Sequence, residues 1–476
     1  MLAISTDEIS VRIHRDNFWW SDPDAEIIEA QSPRRVYFDS FKSIALNFRV
    51  RRATVLLGPR RVGKTFMIKQ LIHEARQNGM SPNNILYASI DTPIYSGISL
   101  EKFLDFLPTQ YSEQKLVIFD EIQYLKDWEM HLKDLIDTYP SVKFVASGSA
   151  AAALRLKSQE SGAGRFSDFM LPPLTFYEFL MFIGQDEHLI KKHGRTYTTK
   201  NILELNNRFI DYLNFGGYPE AVLNEEIRNN PEQFIRNDII DKVLLKDLPS
   251  LYGIDQIQEL NRLFSFLAYN AGNEASLENI SQQSGLAKPT IKKYIEYLES
   301  AFLIIKLSTV NENAKSLKRE RNFKVYLNNP SMRAALFAPV SADDTERVGH
   351  LAESAIFAQW QHSPAFRDLR YARWKNEGEV DVVYLGGAES KPMWIGEIKW
   401  SDRIQAHFGD QTRSMATLLK KHHTVESAFF TTKSVTSRTE IEHTFLKIIP
   451  SALYAYTVGR NVTSPSGKLG LDYEEG

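Results

Sequence analysis

The chain has 476 residues, 43% hydrophobic and 24% charged, the balance of a soluble globular protein too long for one ordinary domain. It contains no cysteine, which excludes disulfides, thiolate-ligated zinc and thiol catalysis. With 57 Lys and Arg against 59 Asp and Glu the net charge is −2, so contact with nucleic acid depends on local basic clusters rather than a polycationic surface.

The segment from Met1 to Glu8 has neither the basic nor the apolar stretch of a secretory signal. Runs such as Ala301 to Ile305 are far too short to span a bilayer. A cytoplasmic protein without membrane contact is expected. Residues 1–48 read as an N-terminal arm with an aromatic pair, Trp19-Trp20, and a helical stretch from Phe38 to Phe48. From Thr54 onward short β-rich apolar runs alternate with amphipathic helices. The runs are Thr54 to Leu57, Ile85 to Ile90, Leu116 to Phe119 and Lys143 to Ala146. This pattern predicts a parallel sheet covered on both faces, ending near Leu171-Pro172-Pro173 ahead of a helix that starts around Thr175.

The first of these runs leads into Gly58-Pro59-Arg60-Arg61-Val62-Gly63-Lys64-Thr65 and then into the helical stretch that begins at Phe66. Strand, glycine-rich loop and helix in that order is the context in which a loop cradles phosphate. The glycines let backbone N–H groups face phosphate oxygens, Lys64 reaches the β- and γ-phosphates, and the Thr65 hydroxyl ligates Mg²⁺. A buried strand, Lys115 to Phe119, then ends in Asp120-Glu121. Asp120 is placed to hold the Mg²⁺ shell and Glu121 to orient or deprotonate the attacking water. The next strand ends in Ala146-Ser147-Gly148-Ser149, where Ser147 is expected at the γ-phosphate. Arg165 is either a γ-phosphate sensor, in cis or from a neighbouring subunit, or a surface residue. A basic cluster of Arg49, Arg51, Arg52, Arg60 and Arg61 is either a nucleic-acid contact or a solvated face.

Residues 186–260 read as helical, interrupted at the turn Phe215-Gly216-Gly217-Tyr218-Pro219. Two short helices follow, from Leu277 to Gly285 and from Lys288 to Leu298, and then a strand from Phe302 to Leu307. Lys288, Lys292 and Lys293 lie on or beside the second helix, and a further basic run extends from Lys315 to Lys324. This segment resembles a winged helix, whose second helix enters a DNA major groove in the DNA-binding examples. Packing or dimerisation is the alternative use of such a module.

Beyond Asn322 a second α/β segment begins. Glu379-Val380-Asp381 lies on one predicted strand and Glu397-Ile398-Lys399 on another, so Asp381, Glu397 and Lys399 gather at one point if the strands pair. A helix from Gly349 to Phe357 projects Glu353 towards them. The arrangement resembles the restriction-endonuclease-like superfamily. That resemblance implies Mg²⁺ on Asp381 and Glu397, Lys399 positioning or activating water, and Glu353 supporting the metal.

Taken with the P-loop, Asp120-Glu121-Ile122-Gln123-Tyr124-Leu125, Ser147-Gly148-Ser149 and Phe215 to Pro219, the chain resembles prokaryotic AAA-type ATPases fused to an uncharacterised C-terminal domain. The implied architecture is an α/β P-loop NTPase at 49–185, a helical lid at 186–260, a winged helix at 261–321 and a restriction-endonuclease-like domain at 322–476. The implied ligands are ATP with Mg²⁺, bound at residues 58–66 including Phe66, and DNA. The expected function is ATP binding and hydrolysis in an event on DNA, with Mg²⁺-dependent cleavage by the last domain. The alternative is an ATP-dependent DNA- or protein-binding switch with an inert last domain, either as a homo-oligomer or self-contained.

Overall fold

The computed structural model describes residues 5–109, 113–149, 164–194, 196–310, 322–366, 368–374, 378–386 and 391–463. The chain divides into two compact units, Met1–Pro172 and Pro173–Gly476.

The first unit is built on five parallel strands, β1 (Ala53–Gly58), β2 (Ile85–Ser89), β3 (Lys115–Asp120), β4 (Val142–Ser149) and β5 (Phe166–Met170), in the order β2-β3-β4-β1-β5. β1, β3 and β4 are buried along their whole length, as expected of strands covered on both faces. β5 is missing from the sequence reading, which closed the sheet without it. Its sequence, Phe-Ser-Asp-Phe-Met, is broken by two adjacent polar residues and is only partly buried, as suits an edge strand and unlike a continuous apolar run.

The opposite edge, β2, is closed by the N-terminal arm. Asn17 Oδ1 accepts from Tyr87 N (2.7 Å) while its Nδ2 donates to Tyr87 O (2.8 Å), so one side chain satisfies both backbone groups of an edge residue. Trp19 and Trp20 each donate an indole N–H to Ile85 O, at 3.2 and 2.8 Å. The expected aromatic pair thus covers an otherwise open sheet edge, and Ile13 joins the sheet's own core. The arm is part of this unit.

In the second unit a hairpin of β6 (Ile190–His193) and β7 (Thr196–Thr199) interrupts the segment read as purely helical. Beyond it lie β8 (Glu274–Ser276), β9 (Ile304–Val310), β10 (Asn322–Leu327), β11 (Leu369–Trp374), β12 (Gly378–Gly386), β13 (Lys391–Glu397), β14 (Ser427–Thr432), β15 (Ser437–Ile441) and β16 (Thr444–Pro450). They form one mixed nine-stranded sheet in the order β15-β16-β14-β13-β12-β11-β9-β10-β8. Helices Leu277–Ser284 and Lys288–Ser300 stand where the helix–turn–helix was expected, and Gly285 ends the first of them in a left-handed conformation (φ 74°). The expected strand pair after them is β9 and β10, antiparallel to each other. β9 also pairs in parallel with β11, so the short sheet beside these helices runs on into the C-terminal strands.

Side chains alternate across this sheet. Phe429 enters one core, whereas Ala428 and Phe430 enter the other. The first core holds Phe176, Phe209, Tyr212 and Val222 together with Ile305, Leu307, Tyr326, Trp360 and Tyr456. Residues from the expected lid, winged helix and C-terminal domain therefore share one apolar interior, and boundaries at 185, 260 and 321 do not follow the packing. Among the described residues no helix is long and apolar enough to cross a membrane.

Candidate functional site

The C-terminal ends of the central strands of the first unit converge on the glycine-rich loop. Gly58 closes β1, and a Cβ there would lie 2.3 Å from the Leu171 carbonyl oxygen, so only glycine fits at that crossing. Arg61 (φ 64°) and Gly63 (φ 95°) take left-handed conformations that turn the chain into helix Lys64–Gln77. Lys64 is buried, and its ammonium donates to Gly58 O (3.0 Å) and Pro59 O (2.8 Å), folded over the loop that it would share with phosphate. Arg35 of the arm supports the loop from outside, donating to Val62 O (2.7 Å) and Pro172 O (2.9 Å). Arg60 donates to the Tyr124 hydroxyl (3.1 Å), and Phe66 is half exposed in the first helical turn.

Asp120, at the end of β3, is the centre of the polar network. Its Oδ2 accepts from the Thr65 hydroxyl (2.9 Å) and from the Tyr87 hydroxyl (2.9 Å), and its Oδ1 from the Ser147 hydroxyl. Glu121 N donates to Ser147 Oγ (3.1 Å) and to Asp120 Oδ1 (3.2 Å). Burial pushes the Asp120 carboxyl above its ordinary value, the neighbouring Glu121 charge adds to this, and the three hydroxyls oppose it. A carboxylate whose hydrogen-bond donors are neutral, beside a threonine hydroxyl, is a hard-oxygen pair suited to a divalent cation. Thr65 and Asp120 fit Mg²⁺.

Glu121 is left-handed (φ 54°), unusual for a side-chain-bearing residue and a mark of local strain at the strand end. Gln123 bridges outward, its amide donating to the Glu121 carboxylate while its carbonyl accepts from Ser149 N (3.1 Å). Sequence reasoning assigned no role to Arg35, Tyr87 or Gln123. Only Gln123, inside the quoted Asp120–Leu125 stretch, lay where a signal was available.

Arg165 requires a correction. It immediately precedes β5, which runs parallel to β1 with Ala53 opposite Phe166, and Ala53 N donates to Arg165 O (3.0 Å). Arg165 therefore sits at the N-terminal edge of the sheet, the length of the six-residue β1 (five steps from Ala53 to Gly58, about 17 Å at 3.3 Å per residue) from the phosphate loop. Its guanidinium pairs with Asp137 (2.7 Å), and the reading in cis fails. The same geometry splits the first basic cluster. Arg51 donates to Ile136 O (3.0 Å) near the C-terminal end of helix Trp128–Thr138, at the edge opposite Arg60 and Arg61.

In the second unit, β12 and β13 pair and bring the expected acids together. Lys399, just past the end of β13, lies 2.7 Å from Asp381 Oδ2 and 2.9 Å from Glu397 Oε2, and Ile398 N donates to the same Asp381 oxygen (2.9 Å). Glu353, on helix Thr345–Trp360, accepts from the Tyr326 hydroxyl (2.6 Å) and lies 3.6 Å from Lys324 Nζ, which also pairs with Glu379. Lys324 and Tyr326 come from β10 and were not foreseen here. Burial opposes ionisation of Asp381, but the two lysines outweigh it and hold the carboxyl down at about 2. Burial and the Asp381 charge push Glu397 well up. Burial likewise raises Glu353.

The metal expected on Glu353, Asp381 and Glu397 does not fit this arrangement. The Lys399 ammonium is already within bonding distance of two of the carboxylates, and Lys324 and Tyr326 engage the third. Among the described residues no group of three or more His, Asp or Glu is placed to hold a metal ion.

On helix Lys288–Ser300, Lys288 pairs with Glu278, Lys292 is exposed, and the Lys293 ammonium lies 5.6 Å over the Tyr297 ring, which stacks on Tyr252 at 4.1 Å. Most of the second basic run, including Lys315, Lys318 and Arg319, lies outside the described residues.

Residues 50–180 match the family model of an AAA domain, and residues 206–344 match a domain of unknown function, DUF8612. The second match crosses the expected boundaries at 260 and 321, as the shared core does. Uncharacterized protein MJ1544 of Methanocaldococcus jannaschii is 25% identical over 341 residues, 70% of this chain and 72% of its own. An uncharacterized protein of Haemophilus influenzae is 25% identical over 306 residues, 62% of this chain and 72% of its own. Among solved structures, the replication initiator DnaA bound to AMPPCP and single-stranded DNA aligns at 15% identity and a TM-score of 0.25, covering 56% of this chain and 88% of its own. Thermotoga maritima RuvB aligns at 15% and 0.28, covering 56% and 86%. The weight rests on the family match together with the strand order and the loop, and by these residues 50–180 have the AAA-type P-loop NTPase fold.

Proposed function

We propose that this chain is a Mg²⁺-dependent ATPase whose nucleotide state governs an event on DNA. The observation that carries the reading is the network in which Thr65, Tyr87 and Ser147 converge on the buried Asp120 beside Glu121. ATP phosphates would lie on the N–H groups of residues 58–65 at the positive end of helix Lys64–Gln77. Lys64 exchanges two neutral carbonyls for phosphate oxygens, a stronger, charge-assisted pairing. Thr65 and Asp120 would hold Mg²⁺, which neutralises phosphate charge when bound. Glu121 leaves Gln123 to orient the attacking water and take its proton, while the Ser147 hydroxyl keeps the Asp120–Glu121 backbone in place. Hydrolysis assays test this. Lys64→Ala should lose nucleotide binding, and Glu121→Gln should bind ATP without turning it over. Undiminished turnover in Glu121→Gln would remove that residue from its role.

DNA contact is supported by the helix–turn–helix and by the exposed Lys292 beside Lys288 and Lys293. Its test is a salt-sensitive mobility shift lost in the triple Lys→Gln variant. A second reading, DNA cleavage at Asp381, Glu397 and Lys399, has one observation in its favour, the meeting of these residues with Glu353 nearby. It rests on that geometry alone, and it requires Lys399 to withdraw from both carboxylates. The inert alternative keeps the lysines in place. Cutting of plasmid by wild type but not by Asp381→Ala or Lys399→Ala decides for cleavage, and no cutting decides for the inert form.

A further inference from the structure

Apart from these centres, the second unit holds a cavity of about 200 Å³ between helices Phe176–Phe182, Ile202–Phe215 and Glu225–Asn229. Phe179, Ile183 and Phe215 supply apolar walls, and Arg208, Asp211, Arg228 and Gln185 supply the polar ones. Arg208 is anchored by its Nη1, which donates to Asp211 Oδ2 (3.1 Å). Arg228 is anchored by its Nη2, which donates to Val222 O (2.7 Å), with its guanidinium 5.2 Å over the Phe215 ring.

Each arginine is thus fixed in place but incompletely used. Among the described residues, the arginine nitrogens buried without a hydrogen-bond partner are Nε of Arg208 and Nε of Arg228, and Gln185 Oε1 is likewise unpartnered. Buried polar atoms are ordinarily satisfied, and unsatisfied charged donors are the costliest exceptions. Two arginines with unused donors thus line one cavity and both act on the single Asp211 carboxylate, an excess of positive charge that points to a missing negative partner.

We propose that this cavity binds a small organic carboxylate carried on a flat apolar body of about one ring. The carboxylate bridges the Arg208 and Arg228 guanidinium groups, whose planar forks match its geometry. The ring lies against Phe179, Ile183 and Phe215, and Gln185 Oε1 accepts from an N–H or O–H of a suitably substituted ligand. The volume is below the roughly 300–1,000 Å³ of drug-sized sites, which argues against a whole nucleotide.

Calorimetric titration of the full chain with benzoate, benzamide, acetate and inorganic phosphate tests this. Benzoate should bind saturably at one site. Benzamide, without the charge, and acetate, without the ring, should each bind about tenfold or more weakly. Arg208→Gln and Arg228→Gln should each weaken benzoate about tenfold and leave Mg·ATP binding within about twofold of wild type. Absence of saturable benzoate binding, equal binding of benzamide, tighter binding of phosphate, or full benzoate affinity in both variants would each overturn the assignment. The ligand series in wild type decides the matter even where a variant folds poorly.

Discussion

Two buried carboxylate centres, one in each unit of this chain, are neutralised in opposite ways. Asp120 takes its hydrogen bonds from hydroxyls and a backbone N–H, all neutral, and the cation that acts on it, the buried Lys69, does so at longer range from over the Tyr87 ring. Asp381, Glu397, Glu353 and Glu379 instead share two ammonium groups, Lys399 and Lys324. Hydroxyls can turn to ligate around an incoming cation at little cost, whereas a lysine has to be displaced. A buried acid with neutral partners is ready for a metal, and a buried acid with a lysine already has its cation. The presence of carboxylates alone does not distinguish the two; their partners do.

The largest expected effect is catalytic. Glu121→Gln should lower kcat about 10²–10⁴-fold with nucleotide affinity retained, measured by phosphate release and by calorimetry. Next comes Lys324→Met. Removing this buried cation takes from the buried Glu353 its nearest cation and leaves Glu379 to Arg373 (3.7 Å), and should cost about 3–5 kcal/mol in denaturant unfolding. A loss below about 1 kcal/mol would mean that the second centre is not closed by charge pairing.

The sharpest contrast is a difference of sign between Asp120→Asn and Asp381→Asn. Asp381 has a folded pKa of about 2, below its unfolded value, so its ionisation stabilises the fold above the unfolded pKa and is lost as pH falls towards 2. Asp120 has a raised folded pKa, so its stability contribution is present at low pH and lost as pH rises through that value. At pH 7 Asp381→Asn should therefore lower the melting temperature, and Asp120→Asn should leave it unchanged or raise it while abolishing Mg²⁺-dependent turnover. The smallest effect is at Lys143, buried beside Arg52 O (2.8 Å) with its ammonium pushed down to about 8 by burial. Because a lysine lowered in this way destabilises the fold below its folded pKa, Lys143→Met should add about 1–2 kcal/mol at pH 7, a gain that shrinks above pH 8.

The nucleotide centre was legible because its parts are contiguous. Gly58 to Thr65 and Asp120-Glu121 each follow a continuous apolar strand, so the motif and its setting can be read together. What escaped reading comes from across the fold. Arg35 reaches Val62 from the arm, and Tyr87 is one residue of a β-rich run whose inward face shows only in three dimensions. Arg165 was misplaced because β5, half-buried and interrupted by Ser167-Asp168, was not recognised, and a residue before a parallel strand lies at the wrong end of the sheet. In the second unit the acids and Lys399 were legible from strand periodicity. Lys324 was read only as part of a basic run, yet its strand, β10, buries it against Glu353. Local turn signals at 215–219 likewise do not reveal that Tyr212 and Tyr456 share one core.

Calorimetric titration of Asp120→Asn with ATP, with and without Mg²⁺, tests the central contrast most directly. Wild type should bind Mg·ATP more tightly than ATP alone, and Asp120→Asn should lose that difference while keeping its affinity for metal-free ATP. An Asp120→Asn protein that keeps the full Mg²⁺ enhancement would contradict the assignment of this carboxylate as the cation site.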